Sequence, residues 1–285
     1  MTRYAKPKTL DEALALLSEG SWRILAGATD FYPALGNRPL QYDVIDINGI
    51  DALRGIVESD SHFVIGARTS WAEVDKTPLP PAFEALKQAA REVGSIQIQN
   101  VASVAGNICN ASPAADGVPA LMILDAEVEL RSRHELRILP LGEFIVGNRQ
   151  TRLREDELVT ALRIPKASVA GRSAFVKLGA RRYLVISIAM AAARVVLDGQ
   201  GRIASAAISV GSCSAVAQRL YPLEASLAGQ GPEAIEASVQ AAGLDELSPI
   251  DDVRGSAGYR RSAAREIVAR AILLATHGSQ KRAAA

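Results

Sequence analysis

The stretch from Gly94 to Gly117 constrains this chain most. Ser, Gln, Asn, Ala and Gly recur through it, and no charge occurs before Asp116. With no clear helical or strand period it reads as a loop. Loops of this length are uncommon inside a compact domain and are usually functional or disordered. Low charge and repeated small side chains favour function. Small residues let successive backbone N–H groups approach an anion, and Ser and Asn add side-chain donors.

Around this stretch, short strand-like runs and helices give a mixed α and β chain of three units. In residues 1–55, Thr9 and Glu12 form a capping-box pair, and Gly20 closes the helix. Leu10, Ala13, Leu14 and Leu17 are spaced to bury one helix face. Strand-like runs at 22–26 and 42–47 complete a βαββ unit. Residues 56–168 form a second unit. It has a strand at 62–66, a helix over 81–93, the long loop, an apolar stretch at 118–130 passing from helix into strand, and strands near 137–141 and 158–164. A linker at 166–171 leads to the third unit, 172–280. Here strands at 173–178 and within 184–197, a turn at Asp198-Gly199-Gln200-Gly201 and a strand at 203–210 predict a three-strand meander. Helices at 232–242 and 259–276 would bundle against it, and the tail 278–285 is expected to fray.

Several functions are disfavoured. The 285 residues carry 32 Lys and Arg against 31 Asp and Glu, with the basic residues scattered, so no nucleic-acid footprint is expected. Two cysteines, Cys109 and Cys213, exclude a disulfide scaffold and any four-thiolate metal or cluster site within the chain. No signal peptide is evident, and the longest apolar run, 185–193, is far short of the ~20 residues that span a bilayer. A cytoplasmic protein with no membrane span is expected. GxSxG, HExxH, CxxC, Walker A and GxGxxG motifs are absent. Gly211-Ser212-Cys213-Ser214 reads as a strand-end turn. His62, His134 and His277 lie far apart in polar surroundings, so no metal site is expected. Cys109 has no evident base and reads as a small buried residue.

Two small-residue segments remain. The first is Leu25-Ala26-Gly27-Ala28-Thr29-Asp30, directly after a predicted strand. The second runs from Asn100 to Asp116. Held between them, a pyrophosphate would have its charge spread over many neutral donors, with no need for a lysine cluster.

These residues carry a resemblance. Ala26–Asp30 resembles the AGGTD-type loop, and Gln97–Asp116 the QIRNVATIGGNICNASPAAD-type loop, of the FAD-binding medium subunit of molybdenum hydroxylases, the family of xanthine dehydrogenase and carbon monoxide dehydrogenase. Residues 119–130 resemble the proline-led helix and strand that follow. Phe175-Val176-Lys177-Leu178 with Arg181-Arg182 resembles the opening of the family's third domain. Asp252-Val253-Arg254-Gly255-Ser256-Ala257-Gly258-Tyr259-Arg260-Arg261 resembles its D-x-R-x-S-x-x-Y-R-x signature.

The resemblance implies an α+β fold: a two-subdomain FAD-binding fold of the PCMH/vanillyl-alcohol-oxidase type, plus a C-terminal domain of antiparallel sheet and helix bundle. It implies that Ala26, Gly27, Ala28, Thr29 and Asp30, with Ser103, Val104, Ala105, Gly106 and Asn107, bind the FAD pyrophosphate and adjoining groups. Asn110 and Asp116 would contact the phosphate–ribose region, with Asp116 accepting from a ribose hydroxyl or pinning the loop. Ile98 and Ala102 would line the flavin side, and Lys177 would reach the ring and raise its potential. No side chain need act as acid, base or nucleophile, and the chain itself binds no metal.

The implied role is electron transfer. A large subunit holding a molybdopterin cofactor and a small subunit with two [2Fe–2S] clusters are the expected partners, in a heterotrimer or a dimer of heterotrimers, with an external electron acceptor. A stand-alone FAD-dependent oxidase or reductase and a flavin-free assembly subunit stay open as alternatives. Ala28 and Ala105 stand where the family usually has glycine. If either needs positive φ, its Cβ costs roughly 1–2 kcal/mol.

Overall fold

A computed structural model describes residues 2–277, and the expectation for the tail 278–285 lies outside them. Strand β1 (Tyr4–Ala5), helix α1 (Leu10–Ser18), β2 (Trp22–Leu25), α2 (Phe31–Leu35) and β3 (Asp43–Asp46) come first. They form a parallel sheet of order β1-β3-β2. The capping box is present: Thr9 Oγ1 accepts from the Glu12 amide at 3.2 Å, and Glu12 Oε2 accepts from the Thr9 amide. Ala13, Leu14 and Leu17 bury one face of α1 beside Trp22, Ile45 and Ile47. The segment after β2 therefore leaves at the carboxyl edge of a parallel sheet, where open sheets of this kind present ligands.

Next come β4 (Ile56–Glu58), β5 (His62–Gly66), α3 (Trp71–Lys76), α4 (Glu84–Glu92), α5 (Ile96–Val101), α6 (Val104–Asn110), α7 (Gly117–Met122), β6 (Glu127–Arg131) and β7 (Leu136–Pro140). A short α8 (Leu141–Phe144), the hairpin of β8 (Ile145–Gly147) and β9 (Gln150–Thr151), and β10 (Leu158–Pro165) follow. The main sheet here is antiparallel, in the order β4-β5-β10-β6-β7.

The stretch 94–117 is not the loop that its composition predicts. It folds as α5 and α6, each opened by a serine cap: Ser95 Oγ accepts from the Ile98 amide at 3.4 Å and Ser103 Oγ from the Gly106 amide at 3.1 Å. Each helix is too short to establish a helical period. Packing of Val104, Ala105 and Ile108 into the core stabilises α6 despite its Gly and Asn.

In the last part, β11 (Arg172–Leu178), β12 (Ala189–Leu197) and β13 (Ile203–Gly211) form the expected meander. The two-residue β14 (Gln218–Arg219) makes it four strands rather than three. Side chains alternate between two cores. Ala174, Ala189, Ala191 and Ala193 face the helical layer of α9 (Tyr221–Leu227), α10 (Ile235–Ala241) and α11 (Ala257–His277). Phe175, Met190 and Ala192 face the core that contains α4 and α7. A sheet covered on both faces reads as a continuous apolar run, as 188–193 does. Among the described residues, no helix is long and apolar enough to cross a membrane.

Candidate cofactor cleft

The two small-residue segments meet through backbone. A Cβ on Gly27 would stand 2.1 Å from the Val101 carbonyl oxygen and 2.8 Å from Ala102 Cα, so only glycine allows this approach. The first segment is tied at its carbonyls: Asn48 Nδ2 donates to Ala26 O at 2.8 Å, and the Tyr32 amide donates to Ala28 O at 3.3 Å. Ala28 sits at φ +61°, in the left-handed region. The second segment is held against the start of α3. The Trp71 amide donates to Ala102 O at 3.2 Å, and the Val104 amide donates to Thr69 O at 3.0 Å. Ser70 caps α3 in a second capping box, with Glu73 Oε2 accepting from both the Ser70 amide and its hydroxyl.

A cleft of about 1110 Å³ opens between these segments, large enough for an extended dinucleotide. Ala26, Gly27, Ala28, Thr29, Asp30, Ile98, Ala102, Ser103, Ala105, Gly106, Asn107, Asn110, Asp116 and Lys177 all line it. Val104 does not. Its side chain is fully buried in the neighbouring core and its amide is bound to Thr69, so it anchors the segment rather than facing a ligand. The Gly106 amide is likewise taken by Ser103 Oγ, leaving fewer free amides here than a loop would offer. Ala105 lies within α6, 3% exposed, with no left-handed strain. Asn107 Oδ1 is buried without a hydrogen-bond partner.

Asp116, Lys177 and Asn110 have partners within the chain. Asp116 Oδ2 accepts from Lys177 Nζ at 2.7 Å and its Oδ1 from Ser187 Oγ at 2.7 Å, so this carboxylate pins the segment to the third unit. Burial pushes the Asp116 carboxyl above its usual range, against the opposing pull of the Lys177 ammonium. Lys177 also donates to the Glu92 carbonyl at 3.4 Å, so it is a paired cation. Asn110 Oδ1 accepts from Arg149 Nη1. The Arg149 amide donates to Ala111 O at 2.8 Å, fastening the β8–β9 hairpin to the end of α6.

Arg149 is therefore a cleft residue that sequence reasoning missed, along with Arg23, Arg38, Leu184, Val185 and Ile186. No local signal marks Arg149, which lies 39 residues from Asn110. Residues 184–186 read as part of a strand but precede β12, with Leu184 at φ +52°. The Ser-x-x-Glu box at 70–73, which the reading of the sequence passed over, is the local signal for the helix that supports the second segment. Cys109 lines the cleft, but burial pushes its thiol up to about 12, so it carries no thiolate near neutrality. Cys213 is buried, and Gly211–Ser214 is a turn ending β13, with the Ser212 amide donating to Pro113 O at 3.0 Å.

Comparison with known proteins places this geometry in a family. The sequence model for the FAD binding domain in molybdopterin dehydrogenase matches residues 1–167, and that for the CO dehydrogenase flavoprotein C-terminal domain matches residues 174–275. The chain is 31% identical to the carbon monoxide dehydrogenase medium chain of Hydrogenophaga pseudoflava over 277 residues, 94% of this chain and 95% of that one. It is 34% identical to the nicotinate dehydrogenase FAD-subunit of Eubacterium barkeri over 206 residues, 70% of each. A solved structure of the H. pseudoflava carbon monoxide dehydrogenase lacking the Mo-pyranopterin moiety of its cofactor aligns with a TM-score of 0.86 at 29% identity, covering 96% of each chain. With the α+β fold and the paired segments in place, the chain belongs to the FAD-binding medium subunits of the molybdenum hydroxylases, and is an oxidoreductase flavoprotein subunit.

Proposed function

We propose that this chain is the electron-transfer subunit of a molybdenum-containing hydroxylase or dehydrogenase. Electrons would arrive from [2Fe–2S] clusters in a small partner subunit and leave to an external acceptor. A large partner would hold the molybdopterin cofactor and perform the substrate chemistry, in a cytoplasmic heterotrimer or dimer of heterotrimers. Relatives named as dehydrogenase subunits, and the structural match to a carbon monoxide dehydrogenase described by its molybdenum cofactor, although that form lacks the Mo-pyranopterin moiety, support this reading.

The observation that carries it is the backbone contact of Gly27 on Val101–Ala102, which sets two small-residue walls face to face across one cleft. The residues fit FAD. Asn107 Oδ1 is a buried acceptor that a ligand donor would satisfy, and an unmet acceptor costs about 1–3 kcal/mol. Bound there, the flavin would supply the redox chemistry that no side chain of this chain offers.

Residues 1–55 and 56–168 would clasp the cofactor and 172–280 would close one side. Ala26, Gly27, Ala28, Thr29 and Asp30 would face the diphosphate from one wall, with Ser103, Ala105 and Gly106 opposite, and Asn107 Oδ1 would accept from a hydroxyl of the adjoining sugar or ribityl chain. Asn110 would stay near the phosphate–ribose region, with Arg149 behind it as a counter-charge. Ile98 and Ala102 would offer apolar surface to the ring, and Lys177 would sit at the ring end.

The test is purification of the full chain, alone and with its co-expressed partners, followed by flavin, iron and molybdenum counting. Stoichiometric flavin in this chain, with iron and molybdenum only in the assembly, is expected. An assembly that holds iron and molybdenum but no flavin would overturn the reading. Turnover with substrate by the chain alone would favour a stand-alone oxidase or reductase.

A further inference from the structure

The Lys177–Asp116 pair does more than join two parts of the chain. Its side chains are only 7% and 10% exposed, yet both residues line the cleft. Four chain segments converge on it: the start of α7 through Asp116, the end of α4 through the Glu92 carbonyl, β11 through Lys177, and the approach to β12 through Ser187. The residues next to these contacts, Val93, Gly94 and Ile186, also line the cleft, as do Ile98, Leu184 and Val185. The pair thus sits at a mainly apolar part of the cleft, suited to an aromatic ring rather than to a diphosphate.

Opposite charges in such surroundings are weakly screened, so each acts on whatever lies beside the pair. Lys177 alone would favour negative charge in the cleft, and Asp116 directly behind it opposes that effect. Both carboxylate oxygens are already engaged, one by Lys177 and one by Ser187, so Asp116 is held as the partner of the lysine and not as a free acceptor for ligand.

We propose that Asp116 is a positioning residue. By holding Lys177 and offsetting its charge, it limits how strongly the cleft favours the negative charge that a bound flavin gains on reduction, and Ser187 holds Asp116 in that role. This rests on the reading that the flavin occupies this cleft.

The test uses the full chain carrying FAD, in the wild-type form and as D116N, K177Q, the D116N/K177Q double variant and S187A. Each is titrated for two-electron potential and for sulfite affinity at pH 7. Removing the opposing charge in D116N raises the equilibrium for reduction about tenfold, about 30 mV for a two-electron couple, and tightens sulfite binding. K177Q moves both readouts the other way, and the double variant falls between the two single variants. S187A shifts in the same direction as D116N but less, and it decides the matter if D116N does not retain FAD. A purely structural role for Asp116 would weaken FAD binding without this ordering of potentials. A D116N potential equal to or below that of the wild type overturns the proposal while leaving the FAD reading intact. A wild-type chain that binds no FAD even in its assembly overturns both.

Discussion

Residues 26–30 and 95–110 form opposite walls of one cleft, and each carries an alanine where glycine is usual in the family it resembles. The first wall is an irregular segment placed by a backbone contact that only Gly27 allows, and its alanine, Ala28, takes φ +61°. The second wall is a pair of serine-capped helices, and its alanine, Ala105, is an ordinary helical residue packed in a core. The same exchange in sequence therefore has opposite consequences. On the first wall the added Cβ strains the backbone, and on the second it favours helix and fills space.

Three experiments bear on this contrast. The largest effect is expected from Gly27→Ala, whose Cβ would clash with the Val101 carbonyl. Overpacking of this kind costs about 1–3 kcal/mol, and the separated walls should leave the purified chain largely free of flavin. Urea denaturation and flavin counting would check both. Normal flavin content would show that the walls do not depend on this contact.

Smaller and opposite in sign are Ala105→Gly and Ala28→Gly. The first should destabilise by about 1–2 kcal/mol, from lost helix propensity and a lost buried methyl. The second should stabilise by about 0.5–1 kcal/mol, because relief of left-handed strain outweighs the greater freedom of glycine in the unfolded chain. Shifts of the same sign in thermal or urea denaturation would erase the distinction between the walls.

The smallest effect lies away from both walls and gives a baseline. The Arg254 backbone amide, with the Arg260 and Arg254 guanidinium groups, holds the Asp252 carboxyl down at about 2. Its folded pKa is below the unfolded value, so its contribution is full above roughly pH 4 and is lost as pH falls toward about 2. Asp252→Asn should flatten that acid limb of urea stability and leave the flavin content unchanged. An unaltered acid limb would show that the group does not contribute.

Much of the architecture was legible where local rules act alone. Thr9 and Glu12, the spacing of Leu10, Ala13, Leu14 and Leu17, and the turn at 198–201 each specify their element without distant partners. The α5–α6 pair was not legible, because each helix depends on a serine cap and on tertiary packing rather than on period: α5 lies against α3, and α6 buries Val104, Ala105 and Ile108 in the core. Residues 184–186 were hidden for a related reason. Their apolar character suits a strand, but they line a cleft whose other walls come from earlier parts of the chain.

The candidate site divides in the same way. Sequence alone singled out two segments rich in small residues as the candidates to hold a cofactor, because backbone donors and close approach depend on residue size at adjacent positions. Only the tertiary structure decided that Val104 faces the core, that Arg149 reaches Asn110, and that Lys177 is neutralised by Asp116. Those outcomes depend on distance and burial between residues as many as 61 positions apart, and Coulombic and hydrogen-bond energies are set by that separation in space.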